Sequence, residues 1–287
     1  MTASSQVDAP RGRLAALADS AGPALLAMLV FLVLWQVGVS VFSVRPFILP
    51  SPIAVLTSFW DNRASIGEAS VATAMAFIGG FALATVVGIG LAVLIVAAPR
   101  IGRGVYPLLI ASQTIPVIAI APLLIIWLGF GLVVKVVIAS IIAFFPIVVG
   151  AVLGFRSVSP TSIDLMRSLP ASRSAIFTKL LFPSALPTIF AGLRTGSVLA
   201  VVGSVVGEFV AGGDGIASHI ITARSQFQTD RVMADIVALA LLGAAFYGVV
   251  ALAEHFALPW KHQSFRPGRV DTAGLSRPAH ACKGDPQ

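Results

Sequence analysis

Six long apolar runs dominate the chain, at 21–44, 70–97, 105–128, 132–153, 188–211 and 232–257. A helix needs about 20 apolar residues to cross roughly 30 Å of hydrocarbon, and each run meets that length. The runs are continuous rather than alternating, which predicts helices and not a barrel. Charged residues are 11% of the 287 and hydrophobic ones 57%, with a mean hydropathy of +0.96. A water-soluble domain of that composition has too little polar surface to cover its exterior. The expected fold is an all-α integral membrane protein with six transmembrane helices. Only Gly129-Phe130-Gly131 separates the third and fourth runs, so they read as a tight hairpin.

Orientation follows from Lys and Arg. With the N-terminus inside, fourteen of the nineteen basic residues fall on the inner side and five (Arg45, Arg63, Lys135, Arg224, Arg231) on the outer. That asymmetry predicts both termini in the cytoplasm, together with the loop at 155–187. It also accounts for the net charge of +7, so nucleic acid is not an expected partner. The single cysteine, Cys282, allows no intrachain disulfide and no cysteine-based metal site. The first run is too long for a signal-peptide core and no small-residue cleavage site follows it, so it reads as an uncleaved span. The ends, 1–20 and 261–287, are rich in Pro, Gly, Ser, Ala and Arg and are expected to be disordered cytoplasmic tails. The six-span domain then covers 21–260.

The fifth run carries two lines of small residues. Gly192, Gly196, Ala200 and Ser204 recur every four residues, and Gly203, Gly207 and Ala211 do the same alongside. Such lines let a second helix approach closely. Two readings stay open: packing within one bundle, or a face that lines a pathway or meets a second subunit. Prolines interrupt the third run at 107, 116 and 122 and the fourth at 146, where each removes a backbone donor and can kink the helix. Glu208 lies near the outer end of the fifth run. It reads either as a group at the mouth of a pathway, or tying the run to a neighbour, or as an interfacial carboxylate that snorkels or caps. Lys135 and Arg194 sit at run ends, where snorkelling accounts for both. Trp60, Trp127 and Trp260 fall where interfacial belts are expected.

The segment 155–187 is longer and more polar than a connection between spans requires. Asp164 to Leu169 predicts a short amphipathic helix with Leu165, Met166 and Leu169 apolar and Asp164 and Arg167 polar. Pro170 ends it, because proline disfavours helical geometry in the residue before it. Pro170 also suits the start of a second helix through Ala171, Ser172 and Arg173 to Leu181. Pro183 and Pro187 are expected to bend the chain into the fifth span. The result is a helix–turn–helix with an exposed apolar edge, a device suited to a partner's groove.

This loop resembles the "EAA" loop of ATP-binding-cassette importer permeases. Asp164 takes the acidic place, Leu165 and Met166 follow, and Pro183, Pro187, Gly192, Leu193 and Arg194 match the Pro-x-x-x-Pro-x-x-x-x-Gly-Leu-Arg tail. Other stretches are similar to the nitrate/sulfonate/taurine-type branch: Phe47 to Pro52, Pro116 to Gly131, Gly207-Glu208-Phe209, and Glu254 to Trp260. The family usually carries glycine where this chain has Pro170, and Asp164 replaces a commoner Glu.

The resemblance implies a permease subunit that moves a small solute handed over by a periplasmic or lipid-tethered substrate-binding protein. It implies a second copy of the permease and a cytoplasmic ATPase dimer that receives the loops. It places Asp164, Leu165, Met166, Arg167, Pro170, Ala171, Ser172 and Arg173 in the ATPase-coupling loop. Gly192, Gly196, Ala200, Gly203, Ser204, Gly207 and Glu208 are the candidates for a translocation path or subunit interface. The solutes implied are sulfonates, taurine, nitrate, or a pyrimidine or riboflavin-type vitamin precursor. Gln113 to Pro116 and Leu165 to Leu169 are more similar to the last group. No Gly-x-x-x-x-Gly-Lys-[Ser/Thr] loop occurs in the sequence, so ATP is expected on a partner, with no cofactor or metal here and no catalytic residue. The alternatives are a stand-alone secondary transporter or channel, and an intramembrane enzyme. No ionisable residue stands at the centre of a run, and the four histidines lie at run ends, in loops or in the tail.

Overall fold

The computed structural model describes residues 13–169 and 171–259. Among them the chain is all helical, with no strand. Four helices are long and apolar enough to cross a membrane: α3 (Arg63–Ala97), α6 (Leu132–Arg156), the continuous stretch Arg173–Ala211 that ends in α9 (Phe182–Ala211), and α11 (Thr229–Ala257). Helices α4 (Pro99–Ser112) and α5 (Val117–Leu128) together qualify as a fifth, but they meet at 100°. The remaining elements are α1 (Arg13–Val41), α2 (Pro52–Asp61), α7 (Pro160–Ser168), α8 (Arg173–Ile176) and α10 (Ile216–Ser225). The tail expected at 261–287 lies outside the described residues, as do residues 1–12. Helix α1 begins at Arg13, inside the stretch expected as the N-terminal tail, and carries its apolar stretch at Leu25–Val41.

Helix α6 is the centre of the fold, enclosed by α3 and α9 along its length. The small residues read from the sequence make this possible. A Cβ added at Gly192 would stand 2.6 Å from the Pro146 carbonyl oxygen, and one at Gly203 would stand 2.6 Å from Ala139 Cα. Helix α6 reciprocates, since a Cβ at Gly150 would meet the Thr188 carbonyl oxygen at 2.9 Å. Backbones this close gain dispersion contacts that side chains would otherwise hold apart, the main attraction between helices in lipid. Helix α11 covers α9 and α3 from outside, with Phe246 against Phe77 (4.8 Å between centroids) and edge-on to Phe81 at 5.2 Å. The outward faces carry Val86, Ile126, Leu241 and Phe256, all well exposed, as a lipid-facing surface requires.

Two expectations are corrected. The third run is not one straight span. Helix α4 stops at Ser112, the chain turns through Gln113 to Ile115, and α5 restarts after Pro116, which is extended (φ −63°, ψ 117°). A proline pushes the residue before it out of helical geometry, so the break falls at Pro116 while Pro107 and Pro122 stay inside helices. Conversely, Pro183 and Pro187 do not bend the chain. The helix from Arg173 runs on into α9 through one widened turn, Phe177–Leu181, in which the Phe182 N–H bonds back five residues to the Phe177 carbonyl. A wider turn moves the preceding carbonyls away from the Pro183 ring, which would clash with residue 179 in a regular helix.

Candidate functional site

The expected coupling residues sit at the end of the molecule where α6 finishes and the Arg173 helix begins. Ser159 caps α7, its Oγ accepting from the Ser162 N–H at 3.2 Å, and Pro160 occupies the first helical turn. Leu169 leaves the helix in extended geometry (φ −82°, ψ 151°), as a residue before proline does. Pro170 itself lies outside the described residues. Ser172 caps α8 in the same way, accepting from the Ala175 N–H at 3.2 Å.

The two arms differ in their anchorage. The second is fixed to the core: Ile176 is buried, and the Phe177 ring lies 5.6 Å from that of Phe155 at the end of α6. The first has no buried residue at all. Leu165 and Leu169 are 65% and 55% exposed beside Asp164 and Arg167, which pair loosely at 3.4 Å in solvent. Such a pair contributes about 0–1 kcal/mol, so neither charge is committed. Arg173, the first residue of α8, is exposed as well. Asp164, Leu165 and Arg167 thus present an exposed mix of charge and apolar surface on α7.

The other expected residues all lie on α9. Gly192, Gly196, Ala200, Gly203, Ser204 and Gly207 are buried against α6 in this same chain. Within the chain, Gly192, Gly196, Gly203 and Gly207 meet α6 at close approach. Glu208 is fully buried at the opposite end of the molecule. Its Oε2 accepts from the Ala217 N–H at 2.8 Å at the start of α10, and Thr73 of α3 stands beside it. Thr73 Oγ1 in turn accepts from the Ile216 N–H at 2.9 Å. Glu208 and Thr73 therefore cap α10 and pin it to α9 and α3. Gly215 is obligatory beside them: a Cβ there would collide with the Glu208 carboxylate, and its φ of +138° suits only glycine.

Lys135 and Arg194 do not snorkel. Lys135 is 5% exposed and donates from Nζ to the Asp214 carbonyl at 2.6 Å, closing the loop that leads into α10. Arg194 Nε pairs with Glu254 at 3.0 Å, tying α9 to α11. Both found internal partners that no linear pattern announces. Thr73 was also missed, although a hydroxyl within a long apolar run is the kind of residue that buried backbone donors need.

An open cavity of about 640 Å³ occupies the crook of the α4–α5 break, between α3 and α6. Its lining is mostly aliphatic, with Ser112, Gln113 and Ser140 as its polar side chains and no ionisable residue. A second cavity of about 460 Å³ shares Leu199 with it and is lined by Arg194, Thr195 and Tyr247. Among the described residues, no group of His, Cys, Asp and Glu is placed to hold a metal ion.

Residues 80–256 match the family described as "Binding-protein-dependent transport system inner membrane component". The chain is 35% identical to the formylaminopyrimidine transport permease protein ThiX of Halalkalibacterium halodurans, over 82% of this chain and 94% of that one. It is 37% identical to the riboflavin transport system permease protein RibX of Chloroflexus aurantiacus, over 82% and 89%. A solved structure of the methionine ABC transporter MetNI in an inward-facing conformation superposes with a TM-score of 0.57 at 20% identity, covering 69% of this chain and 96% of that one, which is a likeness of fold.

Proposed function

The chain belongs to the family of binding-protein-dependent transport system inner membrane components, and from that premise we propose a specific division of labour. This multi-pass inner-membrane permease subunit pairs with a second copy to form the path. A cytoplasmic ATPase dimer binds beneath, and a substrate-binding protein delivers a small solute of the vitamin-precursor or sulfonate classes. ATP is bound and hydrolysed on the partner. The sixth span is supplied by α1, with the α4–α5 pair counted as one, and both termini lie inside. The α7 end is then cytoplasmic, and the Glu208 end faces outward.

One observation carries the coupling role: no residue of α7 is fully buried in its own chain, yet it leads into a second arm anchored by Ile176 and Phe177. An exposed Leu165 and Leu169 cost hydrophobic free energy until a partner covers them. A groove on the ATPase that accepts α7 would move Phe177, Phe155 and hence α6 and α9 together. Asp164, Arg167, Ala171, Ser172 and Arg173 rim that contact. The solute passes the cavity at the α4–α5 break, since the small-residue face of α9 is occupied by α6.

The test is the double variant Asp164→Lys with Arg173→Glu in the assembled transporter. Uptake should collapse while the helical content of the permease stays unchanged. Normal ATPase assembly and uptake in that variant would remove the docking role.

A further inference from the structure

We infer that the cavity at the α4–α5 break is a solute-selecting site for an uncharged nitrogen heterocycle that presents a donor and an acceptor side by side, with Gln113 as the contact residue. The inference rests on the permease reading above.

The cavity's chemistry points that way in three steps. Its volume of about 640 Å³ falls in the range that holds a small organic ligand. Its walls offer no charge. The basic residues of α4, Arg100 and Arg103, belong to its first two turns, away from the cavity residues Ser112 and Gln113. Lys135 of α6 is spent on the Asp214 carbonyl, and Arg156 lies over the Tyr106 ring. Arg194, which reaches the adjoining cavity, is already held by Glu254. An anion settling against these apolar walls would give up part of its water with no fixed cation to replace it, which is a penalty. A neutral ring loses far less.

The polar groups that remain are those of an amide. Ser112 Oγ donates to the Leu109 carbonyl at 2.7 Å and Ser140 Oγ to the Val137 carbonyl at 3.0 Å, so both hydroxyls present lone pairs rather than protons. Gln113 differs. It closes α4 through its backbone N–H, and its side chain is exposed with no hydrogen bond among the described residues. A carboxamide offers two donors and an acceptor in one plane. That pattern is complementary to the edge of an aminopyrimidine or a cyclic imide, and it cannot neutralise a sulfonate or nitrate. Gln113 stands in the turn between the two broken helices, so its position depends on the break itself.

The experiment uses the assembled transporter, permease with its ATPase and binding protein, in cells and after purification. Uptake of a tritiated aminopyrimidine and of riboflavin is compared with uptake of ethanesulfonate and nitrate. Wild type should carry at least one heterocycle and neither anion. Gln113→Leu should reduce heterocycle uptake about tenfold or more, since one strong polar contact is lost, while Gln113→Asn keeps a measurable fraction. ATPase co-purification and thermal unfolding of each variant should match wild type, which separates a lost contact from a lost fold. Uptake of either anion by wild type, uptake of no heterocycle, or wild-type rates in a folded Gln113→Leu would overturn the inference. Failure of the ATPase to co-purify with wild type would instead overturn the permease reading on which it rests.

Discussion

Replacing Gly203 by alanine adds a single methyl group where α9 crosses α6. The new Cβ would stand 2.6 Å from Ala139 Cα and 3.3 Å from its carbonyl oxygen, against the 3.4 Å at which ordinary contact begins. The nearest obstacle is backbone, so the helices must separate by about 0.8 Å locally or tilt. Overpacking of this kind costs about 1–3 kcal/mol. Alanine also favours helix over glycine by about 1 kcal/mol, which would mask part of the loss. Gly90→Ala supplies the control, because it carries the same propensity change and its Cβ meets nothing within 4 Å. The difference between the two variants isolates the contact. At roughly 2–4 °C per kcal/mol for a chain of this size, Gly203→Ala should unfold about 2–12 °C below Gly90→Ala, by circular dichroism in a mild detergent. Equal unfolding temperatures would refute the close α6–α9 crossing as the basis of the core.

Other variants probe the polar ties. Thr73→Val leaves the Ile216 N–H without its acceptor and should cost about 1–3 kcal/mol, read as faster proteolysis within α10; unchanged cleavage would argue against the cap. Lys135→Met removes a charged donor from the Asp214 carbonyl and should cost about 1.5–3 kcal/mol, with cleavage accelerating between Gly212 and Gly215. Arg194→Glu and Glu254→Arg should each lower the unfolding temperature, and the double exchange should recover part of the loss. Simple additivity in that cycle would mean the 3.0 Å pair contributes no coupling.

The helical class, the close-packing small residues of α9 and the exposed short helix α7 were legible because each rests on local sequence. Apolar run length, four-residue spacing and a polar interruption with prolines need no tertiary information. The 100° break was not, since hydropathy averaged over a span-length window smooths over the short polar dip at Gln113-Thr114 and is blind to direction. The prolines there were visible, but which of the three would break the helix depended on where carbonyls could move aside. Pro183 was absorbed by a widened turn, and Pro116 was not. Lys135 and Arg194 were misread because a basic residue at a run end looks the same whether it reaches lipid headgroups or a buried carbonyl. Their partners, Asp214 and Glu254, are distant in sequence and were brought near only by the α6–α9–α11 packing. Helix α10 is short and moderately polar, and Glu208 and Thr73 hold its first turn while Ile216, Ala217 and Ala223 are buried in the core.

The central claim is that the exposed α7 arm is the coupling surface of an ATP-driven permease. Its most direct test is affinity purification of the full chain from its native membrane in mild detergent, wild type beside Leu165→Asp with Leu169→Asp. The account predicts a P-loop ATPase in stoichiometric amount with wild type, and its loss from the variant at unchanged permease folding. Undiminished ATPase on the variant would contradict the assignment of α7, and absence of any ATPase from folded wild type would contradict the mechanism as a whole.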